Sequence, residues 1–370
     1  MKKLLLVAIS LLSVNAFATK ARVAALGASS FNVVDSSGIF TNPLRIHQFS
    51  NLVTLETGKT ANADITTPGS TNAEGLFYYT LTEKARIAVA MGNNDAMVQT
   101  GRTFMNAETS GTLFVTPQNM LHLFYGLDEG ETQYAGGIFL SNFDDKTNVI
   151  KESSNGLSLG VKNGVNSAYV TLGLSNTAEA GGKKFDGGGY TRISLRTTQM
   201  DLMWGLDVVS WKAKQTAVAT SVEEESYANT NFGLKVAKSH KNDTGSEVFY
   251  GANINQQTVD CKTDASATCS SKFTRTTIPL FIGMEVNAAD WLVVRGSVTQ
   301  PLMDSYKDDA TAGGISGGAA VPGSTGASLE YGAGPNKTTV ATGVGLKFNK
   351  LMIDGTLSTS TTQTVNTTDL

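Results

Sequence analysis

The sequence predicts an all-β protein: a transmembrane antiparallel up-and-down β-barrel of about sixteen strands, with fourteen to eighteen as the range. Three features of the 370 residues predict it. The chain opens with a secretory leader. Beyond it no stretch is long and apolar enough for a helical membrane span, yet period-two alternation of apolar and polar residues recurs along the chain. The connections between alternating stretches are short and long by turns, as in barrels with short periplasmic turns and longer outer loops.

The leader occupies residues 1–18. Lys2 and Lys3 give a basic start, Leu4 to Val14 an apolar run, and Ala16-Phe17-Ala18 a small-x-small cleavage site, which together read as a signal peptide. Its removal leaves 27 basic against 32 acidic residues, a net charge near −5. A mildly acidic chain offers no basic face for nucleic acid. The expected location is the outer membrane of a bacterial cell, with outer-membrane lipid and lipopolysaccharide as the surroundings.

Residues 19–49 read as a periplasmic-side N-terminal segment or small plug, and 50–370 as the barrel. In the barrel, Leu157, Leu159 and Val161 alternate with Ser158, Gly160 and Lys162. Asn163-Gly164 then marks a hairpin turn, and Ala168, Val170, Leu172 and Leu174 continue the apolar face. Ile193 and Leu195 lead through a short connection to Leu202, Trp204, Leu206 and Val208. Ile278 to Val286 and Ala341 to Phe348 repeat the pattern, each followed by a short turn. Weaker alternation begins near Leu52, Leu76, Arg86, Leu121, Tyr134, Phe232 and Val248. Short connections are expected near 82–85, 127–131, 163–166, 197–200, 239–245, 287–290 and 349–350. Long ones are expected near 59–73, 92–118, 142–155, 176–188, 213–227, 257–273 and 301–337. This accounts for about fifteen strands from residue 50; an even count needs another, from residues 20–27 or from beyond Leu370.

An Arg or Lys on the lipid face costs about 2–4 kcal/mol near the midplane, so charged residues on strands belong inside. The alternation therefore places Arg86, Lys162, Arg192, Arg196, Lys235, Arg295 and Lys347 in the lumen, with Glu56, Asp201, Asp207, Glu285 and Asp354. Mixed charges of this kind suit a water-filled pore, and the alternative is that they pair inside a closed, plugged interior. Trp204, Tyr78, Tyr79, Phe348, Trp291 and Trp211 are the aromatic residues for interfacial girdles. Cys261 and Cys269, an even pair in an oxidising compartment, are expected to form a disulfide in a long loop. Residues 92–118, around Thr112 to Thr116, and the Gly-rich stretch 312–334 are the two connections suited to fold inward as a constriction.

Catalytic chemistry finds little support. Gly156-Leu157-Ser158-Leu159-Gly160 matches a nucleophile elbow, but that motif needs a strand–turn–helix setting and here lies within an alternating strand. His47, His122 and His240 are scattered, without metal-ligand spacing. Glu223-Glu224-Glu225 falls in a long connection and reads as a solvated run. No catalytic residue, metal or cofactor is expected.

Arg22, Ala25-Leu26-Gly27, Asp35-Ser36-Ser37-Gly38-Ile39-Phe40 and Asn42-Pro43 form a pattern of their own. It resembles the N-terminal segment of long-chain fatty-acid transporter relatives and of other bacterial outer-membrane porin-like β-barrels. The strand content is similar to that of major outer-membrane proteins of predatory delta-class bacteria. The transporter resemblance implies an internal hatch. The residues alone leave a small plug, an extra strand and a capping extension open. The functional expectation is a passive channel for small hydrophilic solutes and ions, not an enzyme, and homo-oligomers are an open possibility. The alternatives are a plugged transporter of hydrophobic ligands and a structural or adhesive surface barrel.

Overall fold

The computed structural model describes residues 20–27, 31, 33–59, 71–92, 102, 114, 120–146, 150–219, 223–263, 272–308, 337–348 and 351–362. Its N-terminal segment is a short helix, α1 (Lys20–Ala25), followed by 3-10 helices at Ser36–Phe40 and Pro43–Gln48. Sixteen strands follow. They are β1 (Leu52–Lys59), β2 (Thr71–Thr80), β3 (Ala85–Met91), β4 (Leu121–Glu129), β5 (Thr132–Asp145), β6 (Ile150–Asn163), β7 (Asn166–Ala180) and β8 (Lys183–Asp186). Then come β9 (Thr191–Gln199), β10 (Leu202–Ala217), β11 (Glu223–Lys241), β12 (Glu247–Thr263), β13 (Lys272–Ala289), β14 (Leu292–Asp308), β15 (Lys337–Phe348) and β16 (Leu351–Thr362).

All pair antiparallel in one sheet, each with its neighbour in sequence. The exception explains the strand count. The short β8 and β9 lie end to end between β7 and β10, both pairing with both. Among the described residues sixteen strands therefore fill fifteen lanes, and residues 20–25 form a helix, not the extra strand the sequence left open. With an odd number of lanes, β1 and β16 both run away from the short-turn end. The described residues carry no register between these two edges. The N-terminal segment spans them from inside: α1 packs on β14, β15 and β16, and Pro43–Gln48 packs on β3 to β6.

The short turns among the described residues fall where the alternation predicts them. At one, Met200 and Asp201 both have positive φ, 51° and 61°, the mirror-image geometry that matches strand twist in a two-residue hairpin. Three of the connections expected to be long are shorter than expected, because the strands continue through much of them. β5 and β6 run to Asp145 and from Ile150, β7 and β8 are separated by two glycines, and β11 begins at Glu223. Glu223 to Glu225 are thus strand residues.

The two faces of the sheet differ as a bilayer-spanning barrel requires. Leu159 is 54% exposed and Ile282 53%, on the outside with Leu195, Leu234, Tyr250, Val294 and Val344. The partners of these residues in sequence, such as Ser158, Ser194, Lys235 and Arg295, are buried on the inside. An outer surface of large apolar side chains is stable against lipid, not against water, and the fold is that of a bacterial outer-membrane β-barrel. No helix among the described residues is long and apolar enough to cross a membrane. Trp291 and Phe348, both more than half exposed beside short turns, with Tyr79 and Trp204, hold the places of a rim girdle. Tyr78 and Trp211 do not: both are buried on the inner face. Leu159→Arg should destabilise the protein by about 2–4 kcal/mol, measured by urea titration in liposomes. Arg in place of the inward neighbour Lys162 should change stability little.

Candidate functional site

The interior is filled in layers, and the lowest is the N-terminal segment. Its apolar residues alternate with polar ones irregularly, so its helical turns are single and short. Burial holds them. On one side Ile39, Phe40, Leu44, Ile46 and Phe49 pack against Leu52, Leu76, Tyr78, Ala88, Ala90, Phe124 and Ala135 of β1 to β5. On the other, Leu26, Phe31 and Val33 pack against Ala237, Phe249 and Phe281 of β11 to β13. The contacts are close. A side chain at Gly126 would meet Ile46, and one at Gly205 would meet the Phe31 ring. These wall glycines make room for the plug. Asn42 caps the second 3-10 helix by accepting from the Leu44 N–H (3.1 Å).

Polar anchors fix the plug's height. Arg22 donates to both carboxylate oxygens of Glu285 (2.7 and 3.1 Å) and to the Val34 carbonyl (2.7 Å). The Tyr78 hydroxyl donates to the Ser36 carbonyl (2.7 Å) and the Ser297 hydroxyl to the Ala25 carbonyl (3.0 Å). Arg86 donates to the His47 carbonyl. Burial pushes the Asp35 carboxyl above the ordinary range, opposed by a hydrogen bond from Ser37 and by the charge of Arg22. Burial and, after it, the like charge of Arg196 lower the Arg45 guanidinium to about 10. The lumen-facing His122, buried, meets Phe40 edge-on at 4.8 Å.

Beside and beyond the plug the inner wall is polar. Asp207 binds Lys235 (2.7 Å) and Arg192 (3.4 Å) and accepts from Ser194. Arg295 bridges Glu285 (2.6 Å) and Asp354 (2.5 Å). Asn229, Asn231, Asn253 and Asn255 are buried on neighbouring β11 and β12, and amide atoms of Asn229, Asn231 and Asn255 have no hydrogen-bond partner among the described residues. An unsatisfied buried amide costs about 1–3 kcal/mol.

The upper layer comes from the connection between β3 and β4. Arg102, fully buried, reaches Glu152 (3.1 Å), Ser154 (2.8 Å), the Thr177 carbonyl (3.0 Å) and Asn176 (2.9 Å). Phe114 packs with Phe185, Trp211, Tyr227 and Val259. Of the two connections suited to turn inward, the described residues Arg102 and Phe114 of 92–118 lie inside. Residues 312–334 lie outside the described residues.

Of the residues the sequence assigned to the lumen, Arg86, Lys162, Arg192, Arg196, Asp207, Lys235, Glu285, Arg295, Lys347 and Asp354 sit on the inner face. Lys347 donates to Asn287 (2.8 Å) near the short-turn rim. Asp201 does not line the lumen. It is an exposed residue of the β9–β10 turn, where strand alternation has already ended. Most inner charges are paired across strands, so the interior is not a tube of free charges. Arg102 was not among the residues the sequence pointed to, because its connection shows no alternation. The Cys261 backbone pairs with Tyr227, and the pairing expected with Cys269 lies outside the described residues, as does the leader 1–18. Ser158 of the elbow-like motif lies within β6, with no turn or helix beside it.

The fold and the lumen define a bacterial outer-membrane β-barrel whose own N-terminal segment fills its short-turn end. No protein-family model and no curated protein matches the chain. Two solved structures are similar to it, both of OmpT, an outer membrane protein of Vibrio cholerae. A loop L8 deletion mutant gives a TM-score of 0.36 at 13% identity, covering 70% of this chain and 92% of the other. The in-vitro folded protein gives 0.36 at 12%, covering 68% and 84%.

Proposed function

We propose that the barrel is a gated porin, a passive route for small hydrophilic solutes and ions, with no catalytic role, and that residues 20–49 are its gate. The observation that carries this reading is the polar layer between two fillings. Asn229, Asn231, Asn253 and Asn255 are buried on the inner face, next to the Asp207, Lys235, Arg192 and Ser194 cluster that adjoins the plug, with the Lys235 ammonium 5.7 Å from the Phe31 ring. An interior built for apolar ligands gains nothing from buried amides with spare hydrogen-bonding capacity, whereas a polar solute can use them. The wall's charges also satisfy one another: Asp207 with Lys235 and Arg192, and Arg295 with Asp354. They stay neutralised when the plug moves, apart from the Arg22 contact to Glu285.

A barrel of this size without filling is wide enough for an aqueous channel. In planar bilayers the full-length protein should give discrete, ohmic current steps of low open probability. Arg22→Ala removes the ion pair that ties α1 to the wall and should lengthen the openings. Silence of both proteins in bilayers, with uptake of a fatty acid by liposomes carrying them, would instead support the hydrophobic-ligand transporter.

A further inference from the structure

The outer face of β10 changes character along its length. Trp204, Leu206, Val208, Ser210, Lys212 and Lys214 point outward, while Trp211, Ala213 and Gln215 are buried on the inside. A tilted strand crosses the hydrocarbon in about 9–11 residues. β10 starts at Leu202 beside a short turn, so it leaves the hydrocarbon near Lys212. Short turns are periplasmic, which puts both lysines at the outer leaflet. The neighbouring lane breaks at the same height. β9 begins at Thr191, opposite Ser210, and β8 ends at Asp186, opposite Lys214. Gly187-Gly188-Gly189 lie between them, and the Gly188 carbonyl accepts from the Lys212 N–H (3.2 Å). Gly188 and Gly189 are exposed. A Cβ on Gly189 would meet nothing within 4 Å, and one on Gly188 only the Asp186 carboxylate, at 3.7 Å. The break is therefore an open notch in the outer wall. Hydrocarbon does not tolerate an interrupted ladder, whereas a headgroup layer offers polar partners.

Three exposed lysines surround the notch: Lys212 and Lys214 from β10, and Lys184 from β8, opposite Thr216 and so diagonal to Lys214. Among the described residues none of the three makes an ion pair. Asp186, opposite Lys214, is one carboxylate against three cations. Glu179, opposite Lys184, is engaged by Lys151 (3.3 Å). A chain with more acids than bases thus sets uncompensated cations at the outer margin of its lipid-facing wall. We infer that this notch holds the phosphate of an anionic lipid of the outer leaflet, with Lys184, Lys212 and Lys214 as its cationic contacts. The charge is complementary, and so is the height. Lysine stems lie along apolar surface while their ammonium groups reach the headgroup layer. Directly below, Val208 and Ile193 pair across β10 and β9 and offer an apolar face to the acyl chains. A soluble anion would use the charges alone, whereas an anchored one uses both surfaces. The inference does not depend on whether the lumen conducts.

Diphosphoryl lipid A, added to the full-length protein in detergent micelles and counted by native mass spectrometry, tests this. One lipid A per chain should be retained at concentrations where dephosphorylated lipid A and phosphatidylethanolamine are lost. Lys212→Gln combined with Lys214→Gln should weaken retention about thirtyfold, the loss expected for two lysines near an anionic lipid surface. Both side chains are exposed, so the variant folds, and heat-modifiable migration on gels checks it. Lys238→Gln removes the same charge from the outward face of β11 at the short-turn end, where Lys238 lies opposite Leu202 and Tyr250, and should leave retention unchanged. The assignment is overturned if dephosphorylated lipid A is retained equally well, or if Lys238→Gln weakens retention as much as the double change. It is also overturned if micromolar inorganic phosphate displaces lipid A, which would make the notch a site for a free anion.

Discussion

A chain lacking residues 20–48 should conduct severalfold more current per open channel than the intact protein, and should stay open. The plug occupies the short-turn end from β1 to β6 and again from β11 to β16, so its loss empties that half of the lumen. What remains there is a wall with its charges still cross-paired and with apolar patches around Leu76, Phe124 and Phe249 now facing water. Exposure of those patches costs stability at about 25 cal/mol per Å² of apolar surface, so the deleted protein should also unfold at lower urea. The two readouts separate the roles. A plug that only braces the barrel would lower stability and leave conductance unchanged, which would remove the gate from the functional reading. The rise has a ceiling, because the upper filling from the β3–β4 connection remains in place.

The second large effect concerns that upper filling. Arg102→Ala should cost about 3–5 kcal/mol, because it strands the fully buried Glu152 carboxylate without its cation. Ser141 and Ser154 still donate to Glu152, Ser141 at 2.6 Å and Ser154 at 2.8 Å, but two hydroxyls do not neutralise a charge. The double change Arg102→Met with Glu152→Leu should recover much of the loss, since replacing both partners leaves no unpaired charge. Urea unfolding in liposomes measures both. If Arg102→Ala unfolds at the same urea concentration as the wild type, the Arg102–Glu152 pair is not a structural element. On the conductance side the single change should widen the outer half, and combined with the plug deletion it should lift the ceiling just described.

Much of the architecture is readable in the residues because strand alternation is local. A strand between lipid and interior must switch every second position, so Leu157 to Lys162 or Ile278 to Val286 carry their own orientation. Turns such as Asn163-Gly164 add direction. What fails is information that crosses lanes. Arg22 and Glu285 meet across 263 positions, and no local pattern announces such a pair, so the inner charges could be placed but not paired. Tyr78 and Tyr79 are adjacent, so only one can face lipid, and the choice follows from the Ser36 carbonyl waiting inside. Asp201 was misplaced because alternation was carried one step into a turn with positive φ.

An odd number of lanes also bears on how the cylinder is completed. Every other neighbour pair is joined through the chain by a hairpin or a longer link, so each can zip as its second strand arrives. A seam between β1 and β16 would have to bring together segments some three hundred residues apart, with both strands heading the same way, and loop-closure entropy makes such a join the slowest to form. Residues 20–49, already lodged against both margins, act as an internal stay that shortens the search.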